Sequence, residues 1–285
     1  MGRGGRSEER HDQQPRQEFF RPIERLPKPV RDRDARDSSR HREGQYRPNG
    51  SELRILATVG SFRIVPVRDL SAVRGRAQDA SNVRRLVQAG LLERQSLTIA
   101  GRSTPVVALS EEGLRALEAS HRDEHQDRRQ EYHAGFVKPR EANHDAQLHA
   151  VYEAEAKRIE AEGGRPVRVV LDYEIKRGYQ AYLNRKGRPE GETLQDARET
   201  FAAAYRLPVV DGHLELPDLR IEYETADGRL DVRDLELVTE HYSRSQLAGK
   251  AKAGFTAYRT GSRVAGGNAR TGGTPYDPHY LEWLG

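Results

Sequence analysis

The pair Pro217-Asp218 precedes a glycine turn, Glu236 follows it, and a stretch carrying Lys250 and Lys252 comes next. Carboxylates backed by an ammonium group suit metal-assisted phosphodiester hydrolysis, in which a divalent cation binds the scissile phosphate and activates water. Mg2+ is usually held by one or two carboxylates plus water. Asp218 and Glu236 meet if "LPDLRIEYET" and "LDVRDLELVTEHY" pair as antiparallel strands around the turn "ADGR". A glutamate from a preceding helix, Glu153 or Glu155, would add a ligand. The expected metal set is Asp218, Glu236 and Glu153. The plainer reading makes Asp218 a strand-start residue bonding local amides, and Glu236 an exposed alternating position. Alternation puts Leu235, Leu237 and Thr239 on one face and Glu236, Val238 and Glu240 on the other. Two carboxylates on one face need a cation or solvent.

Other elements must position these groups. "HDAQLHAVYEAEAKRIEAEGG", from His144, reads as a helix with Leu148, Val151, Tyr152 and Ile159 near one face and Gly163-Gly164 at its end. "RPVRVVLDYEIKRG" reads as a strand with Val167, Val169 and Leu171 alternating inward. Tyr179 to Tyr205 is a polar insertion plus a helix, and "SRSQLAGKAKAGFTAYRTG" is a helix behind the second strand of the pair. Arg244, Lys250, Lys252 and Arg259 would give that segment a basic surface suited to a phosphate backbone, although ordinary solvation predicts the same letters.

The N-terminal half has a different rhythm. Ser51 reads as an N-cap before "ELRILATVG", "VRDLSAVRG" as a short second helix, and "DASNVRRLVQA" as a third that stops at Gly90. "LLERQSLTI" and "TPVVALS" read as strands around "AGRS", and Ser110 caps a further helix. This order resembles a winged helix-turn-helix domain over about residues 51–120. The resemblance implies that Ser81, Asn82, Arg84 and Arg85 face a major groove and its phosphates, with Arg102 in the wing reaching backbone or minor groove. Winged helices also serve as protein-docking modules, in which case Arg84 and Arg85 are a solvated face.

The second half resembles the PD-(D/E)xK nuclease fold on its order of helix, strand, helix, strand, strand, helix and on Pro217-Asp218 and Glu236. Together with the winged helix it is most similar to the replication-relaxation family of bacterial plasmids and mobile elements, over about residues 51–260. In active members of the nuclease superfamily a lysine two residues past the acid polarises the water. Here that position is Val238, so three readings stay open. Lys250 or Lys252 reaches back from the next helix, Glu240 takes over the role, or the domain no longer cleaves. "LELVTEHY" resembles the Glu-x-x-x-Glu arrangement of the replication-relaxation family, where the lysine is also often absent.

Composition bounds the rest. The 285 residues hold no Cys, which excludes disulfides and Cys-based zinc sites. With 32% charged and 35% hydrophobic residues, part of the chain cannot bury enough surface to offset its entropy. Residues 1–48 fit that description and read as a disordered basic arm. The net charge of +4 is a mild hint of a polyanionic partner. No apolar run approaches a membrane span and no signal-peptide core is visible, so a cytoplasmic protein is the expectation. The His residues of 121–142 are scattered among charges and read as solvated linker rather than metal ligands. Residues 260–279 read as a turn-rich loop, and "YLEWL" as an apolar clip.

The expected architecture is α+β: basic arm 1–48, winged helix 49–120, linker 121–142 and a restriction-endonuclease-like α/β domain 143–285. DNA is the expected partner, with Mg2+ as cofactor if the site is active, and a homodimer or partner protein as a further contact. The alternative is a non-catalytic transcription or copy-number regulator.

Overall fold

In a computed structural model, the structure describes residues 46–73, 76–77, 80–99, 101–120, 130–185, 189, 191–238, 242, 244–259 and 275–276. All but the last three residues of the expected arm 1–48 lie outside this range, as do "YLEWL" and, apart from 275–276, the loop 260–279. Among the described residues no helix is long and apolar enough to cross a membrane.

Helix α1 (Gly50–Phe62) is capped by Asn49 rather than by Ser51. The Asn49 side chain accepts from the Glu52 amide at 3.0 Å, and the Glu52 carboxylate accepts from the Asn49 amide at 2.9 Å. This capping box satisfies two amides that Ser51, inside the first turn, cannot reach. Strand β1 (Val65–Pro66) follows. A 3-10 turn at Val67–Ser71 and the hairpin β2 (Ala72–Val73) and β3 (Arg76–Ala77) replace the expected second helix. Helix α2 (Ala80–Gln88) ends before Gly90, whose φ of 72° suits glycine. Strands β4 (Leu92–Ile99) and β5 (Arg102–Leu109) form the expected hairpin, and β1 extends it in the order β1-β5-β4. Helix α3 (Glu111–Ser120) starts at Ser110, whose hydroxyl accepts from the Gly113 amide at 3.0 Å.

Helix α4 (Pro139–Ala161) starts ahead of His144, because Pro139 suits a first helical position. Strand β6 (Arg165–Leu171) is shorter than expected. The chain turns into α5 (Asp172–Leu183), where the Glu174 carboxylate accepts from the Leu171 amide at 3.1 Å. Helix α6 (Leu194–Tyr205), the small hairpin β7 (Val209–Val210) and β8 (His213–Leu214), and the expected pair β9 (Leu219–Glu224) and β10 (Leu230–Val238) come next. Helix α7 (Arg244–Lys252) stops early. Gly254, at φ 76°, ends it, and aromatic and β-branched residues carry the chain into β11 (Thr256–Arg259). Strand β12 (Pro275–Tyr276) completes a sheet of order β12-β11-β10-β9-β6, in which β10 and β11 are parallel and the other pairs antiparallel.

The chain is mixed α+β. Its two halves share one core, which runs from Ile55 and Leu56 in α1 through Leu148 and Val151 in α4 to Leu237 and Tyr258 in the larger sheet. Phe62 packs edge-on against His149 at 5.1 Å. The expected linker 121–142 is corrected accordingly for the residues described. Gln130 pairs with both polar groups of Val169, accepting from its amide at 2.8 Å and donating to its carbonyl at 2.9 Å. The His133 amide donates to Gly60 and the Gly135 amide to Leu109. Residues 130–137 are thus a packed strap, because a strap laid between two backbones must satisfy their polar groups.

Candidate active site

The register of the larger sheet brings the acids together. Leu171, Leu219 and Leu235 are opposite one another on β6, β9 and β10. One step further along stand Asp172 and Asp218, just beyond the paired ends of β6 and β9, and Glu236 within β10, a row of three carboxylates. Asp218 accepts from the Leu237 amide through Oδ2 at 2.8 Å, which fixes it against β10. Glu236 is buried, not an exposed alternating position. Tyr242 donates to its Oε1 at 2.5 Å. Its other oxygen, Oε2, is buried and among the described residues accepts no hydrogen bond; Lys250 Nζ stands 3.4 Å away, an ion-pair distance. Lys250 also donates to the Leu216 carbonyl at 2.7 Å and lies 3.5 Å from Glu215.

Three expected site residues are elsewhere. Lys252 pairs with the exposed Asp211 at 3.0 Å, because it projects from a different side of α7 than Lys250. Glu153 lies 3.7 Å from His149, well along α4 from the acids. Glu155 is fully buried and bonds Arg233 at 2.7 Å and the Tyr258 hydroxyl, a structural network. The end of α4 that does reach the acids is its beginning: His144 Nε2 is 3.3 Å from Asp218 Oδ2, and His144 Nδ1 is 3.3 Å from Asp145. Lys176 on α5 joins from the other side and pairs with Asp172 at 2.5 Å. His144, Asp172, Lys176 and Tyr242 were not picked out by sequence reasoning. The break of β6 at Leu171 puts Asp172 beside Asp218, and the alternation of "VVLDYEI" hides that break in the sequence. Glu240 lies outside the described residues.

Burial, then the neighbouring charge of Asp218, pushes the Glu236 carboxyl up to about 7 against the opposing pull of Lys250 and Tyr242. Burial also works against a charged His144, but the hydrogen bonds and charges of Asp145 and Asp218 outweigh it and raise the imidazole to about 10. Lys176 is held above its ordinary value, burial notwithstanding, by Asp172 and by the charges of Asp218 and Glu236. Burial, Asp218 and the bond to Glu236 raise the Tyr242 phenol. The cluster thus mixes carboxylates and cations in a partly dry setting.

Among the described residues no group of three or more His, Asp or Glu has the arrangement of a metal site. The pair Asp218 and Glu236 nevertheless suits a hard cation that keeps most of its water. Glu236 Oε2 is a buried oxygen without a hydrogen-bond donor, and among the described residues the contacts to Asp218 use Oδ2 and leave Oδ1.

In the N-terminal half, Arg84 and Arg102 are exposed as expected. Asn82 is buried at 4% exposure, which corrects its expected outward position. It accepts from Arg85, and Arg85 also donates to Ser81 at 2.7 Å and to the buried Glu52 at 3.1 Å. The buried Glu52 carboxylate needs a cation, and this draws Arg85, Ser81 and Asn82 into one network. Arg259 is exposed on β11.

No family model matches the chain, and no curated protein matches it.

Proposed function

We propose that this chain is a DNA-binding protein with a metal-dependent phosphodiesterase site. The N-terminal module is read as a winged helix, and the larger sheet with its helices as a PD-(D/E)xK-like domain related to replication-relaxation proteins of plasmids and mobile elements. The convergence of Asp218, Glu236 and Lys250 carries this reading. The lysine missing at Val238 is supplied from α7.

Asp218 and Glu236 would hold Mg2+, which when bound supplies charge neutralisation at the phosphate and a more acidic water. Tyr242 keeps Glu236 turned by occupying Oε1, so that Oε2 faces Lys250. Lys250 Nζ presents a fixed cation to the charge that develops on a phosphate oxygen. Lys176 offers a second cation on the opposite side.

The second reading is a non-catalytic regulator. The His144–Asp218 ion pair favours it, because a protonated imidazole occupies the carboxylate that the cation needs. Incubating the protein with supercoiled plasmid in Mg2+, Mn2+ and EDTA separates the two. Metal-dependent nicking that is lost in Asp218→Ala/Glu236→Ala supports the nuclease. Intact plasmid that is shifted in mobility gives the lead to the regulator. Intact and unshifted plasmid sinks both.

A further inference from the structure

We infer that Arg63, at the end of α1, is a positioning residue through which the N-terminal module sets the acidic site. The inference rests on the phosphodiesterase reading for its catalytic consequence but not for its geometry.

Arg63 has φ 65° and ψ −50°, and the Ile64 amide donates to the Phe62 carbonyl at 2.7 Å across it. This is the rare and strained form of the γ-turn. A side chain at positive φ carries a steric cost that glycine avoids. Strain of this kind persists where surrounding contacts over-determine it, and it concentrates at working sites. Here the contacts are specific. The Arg63 guanidinium donates to Asp145 Oδ2 at 3.0 Å, reaches Glu141 at 3.5 Å and lies 4.6 Å from the Tyr173 ring centre. Asp145 holds His144 through its other oxygen, and His144 meets Asp218. Tyr173 is the neighbour of Asp172 on α5. One guanidinium therefore braces both helices that flank the acids.

The other end of α1 holds α2. Glu52, in the first turn, accepts from Arg85, and at 1.5 Å per residue the helix places Arg63 about 17 Å from it. Helix α1 is a strut with the proposed DNA-facing helix at one end and the acidic site at the other. Arg63 is where the strut meets the site. A planar, forked cation is suited to this because it can bond a carboxylate while stacking on a ring.

Arg63→Gly separates positioning from stability, since glycine relieves the backbone while removing the guanidinium. In the full chain we expect Tm to move by no more than about 3 °C. The His144 ring resonances should shift, and shift in the same direction in Asp145→Asn. Where wild-type protein nicks plasmid, kcat should change about 10- to 100-fold, and in the same direction, in both variants, with KM changing less than about twofold. Unchanged His144 resonances in Arg63→Gly would overturn the inference. So would kcat held at the wild-type value in either variant. If the wild type does not nick, the phosphodiesterase reading fails, and the ring resonances decide the positioning role alone.

Discussion

Lys250 Nζ stands 3.4 Å from Glu236 Oε2, although the two residues belong to different elements. Strand β10 carries Val238 where a lysine would point the same way, so the helix supplies the cation that the strand lacks. Replacing Lys250 with Met should lower nicking by about 10²-fold, the usual effect of removing one preorganised donor. The charge of Lys250 also pulls the Glu236 carboxyl down, so its loss should move the acid limb of the pH–rate profile to higher pH. Lys252→Met is the control. Its amine belongs to Asp211, and the rate should stay within about twofold of wild type.

What could be read from the residues and what could not divides along physical lines. The pairing of β9 with β10 was legible because an Asp-Gly turn between alternating strands is a local signal. So was the meeting of Asp218 with Glu236, but which of Lys250 and Lys252 stands beside them was not. That choice depends on how far α7 is rotated against the sheet, which no local pattern encodes. Glu153 stands beside His149 rather than beside the acids for the same reason. The break at Leu171 was hidden because "VVLDYEI" alternates like one long strand, and only the Glu174 cap ends it. Asn82 looked outward because the buried Glu52 that gathers Arg85 lies far from it in sequence.

Glu236 should cost the fold stability at neutral pH. Its carboxyl ionises near 7 when folded against an ordinary 4.5, so between those values the folded state binds more protons than the unfolded one. Stability from this group is intact below the lower value and is lost as pH rises through the upper one. Glu236→Gln should therefore be more stable than wild type at pH 8, by up to about 3 kcal/mol, and equal to it at pH 4. Chemical denaturation at the two pH values reads this directly. Added Mg2+ should raise Tm of the wild type and leave the Gln variant unmoved. A variant less stable at pH 8 would mean that the carboxylate is compensated in the fold.

His149 predicts the opposite slope. It lies on α4, buried against Phe62 of α1; among the described residues neither ring nitrogen has a hydrogen-bond partner, and burial lowers its pKa to about 4. Between about 4 and the ordinary 6.5 the unfolded state binds more protons, so stability is complete above 6.5 and is lost as pH falls through that window. His149→Leu keeps the packing against Phe62 and should flatten the acid side of the stability–pH curve. An acid limb as steep as that of the wild type would place its cause in another group.

The arginines of the N-terminal half should sort by what they already hold. Arg84, Arg85 and Arg102 are all exposed, but Arg85 is engaged by Glu52, Ser81 and Asn82. If Arg84 and Arg102 meet phosphates, each change to Ala should weaken DNA binding about equally on unrelated sequences. Each should also reduce the slope of log affinity against log salt by about 1. Neither should alter Tm, because both side chains are exposed and among the described residues no buried group bonds them. Arg85→Ala should do the reverse. Glu52 is 1% exposed, and losing its cation leaves a buried carboxylate held only by the neutral donors of Asn49 and Tyr46, so Tm should fall. Thermal melts and salt titrations of the three variants decide this. Unchanged salt slopes in both Arg84→Ala and Arg102→Ala would move the DNA contact away from the N-terminal module.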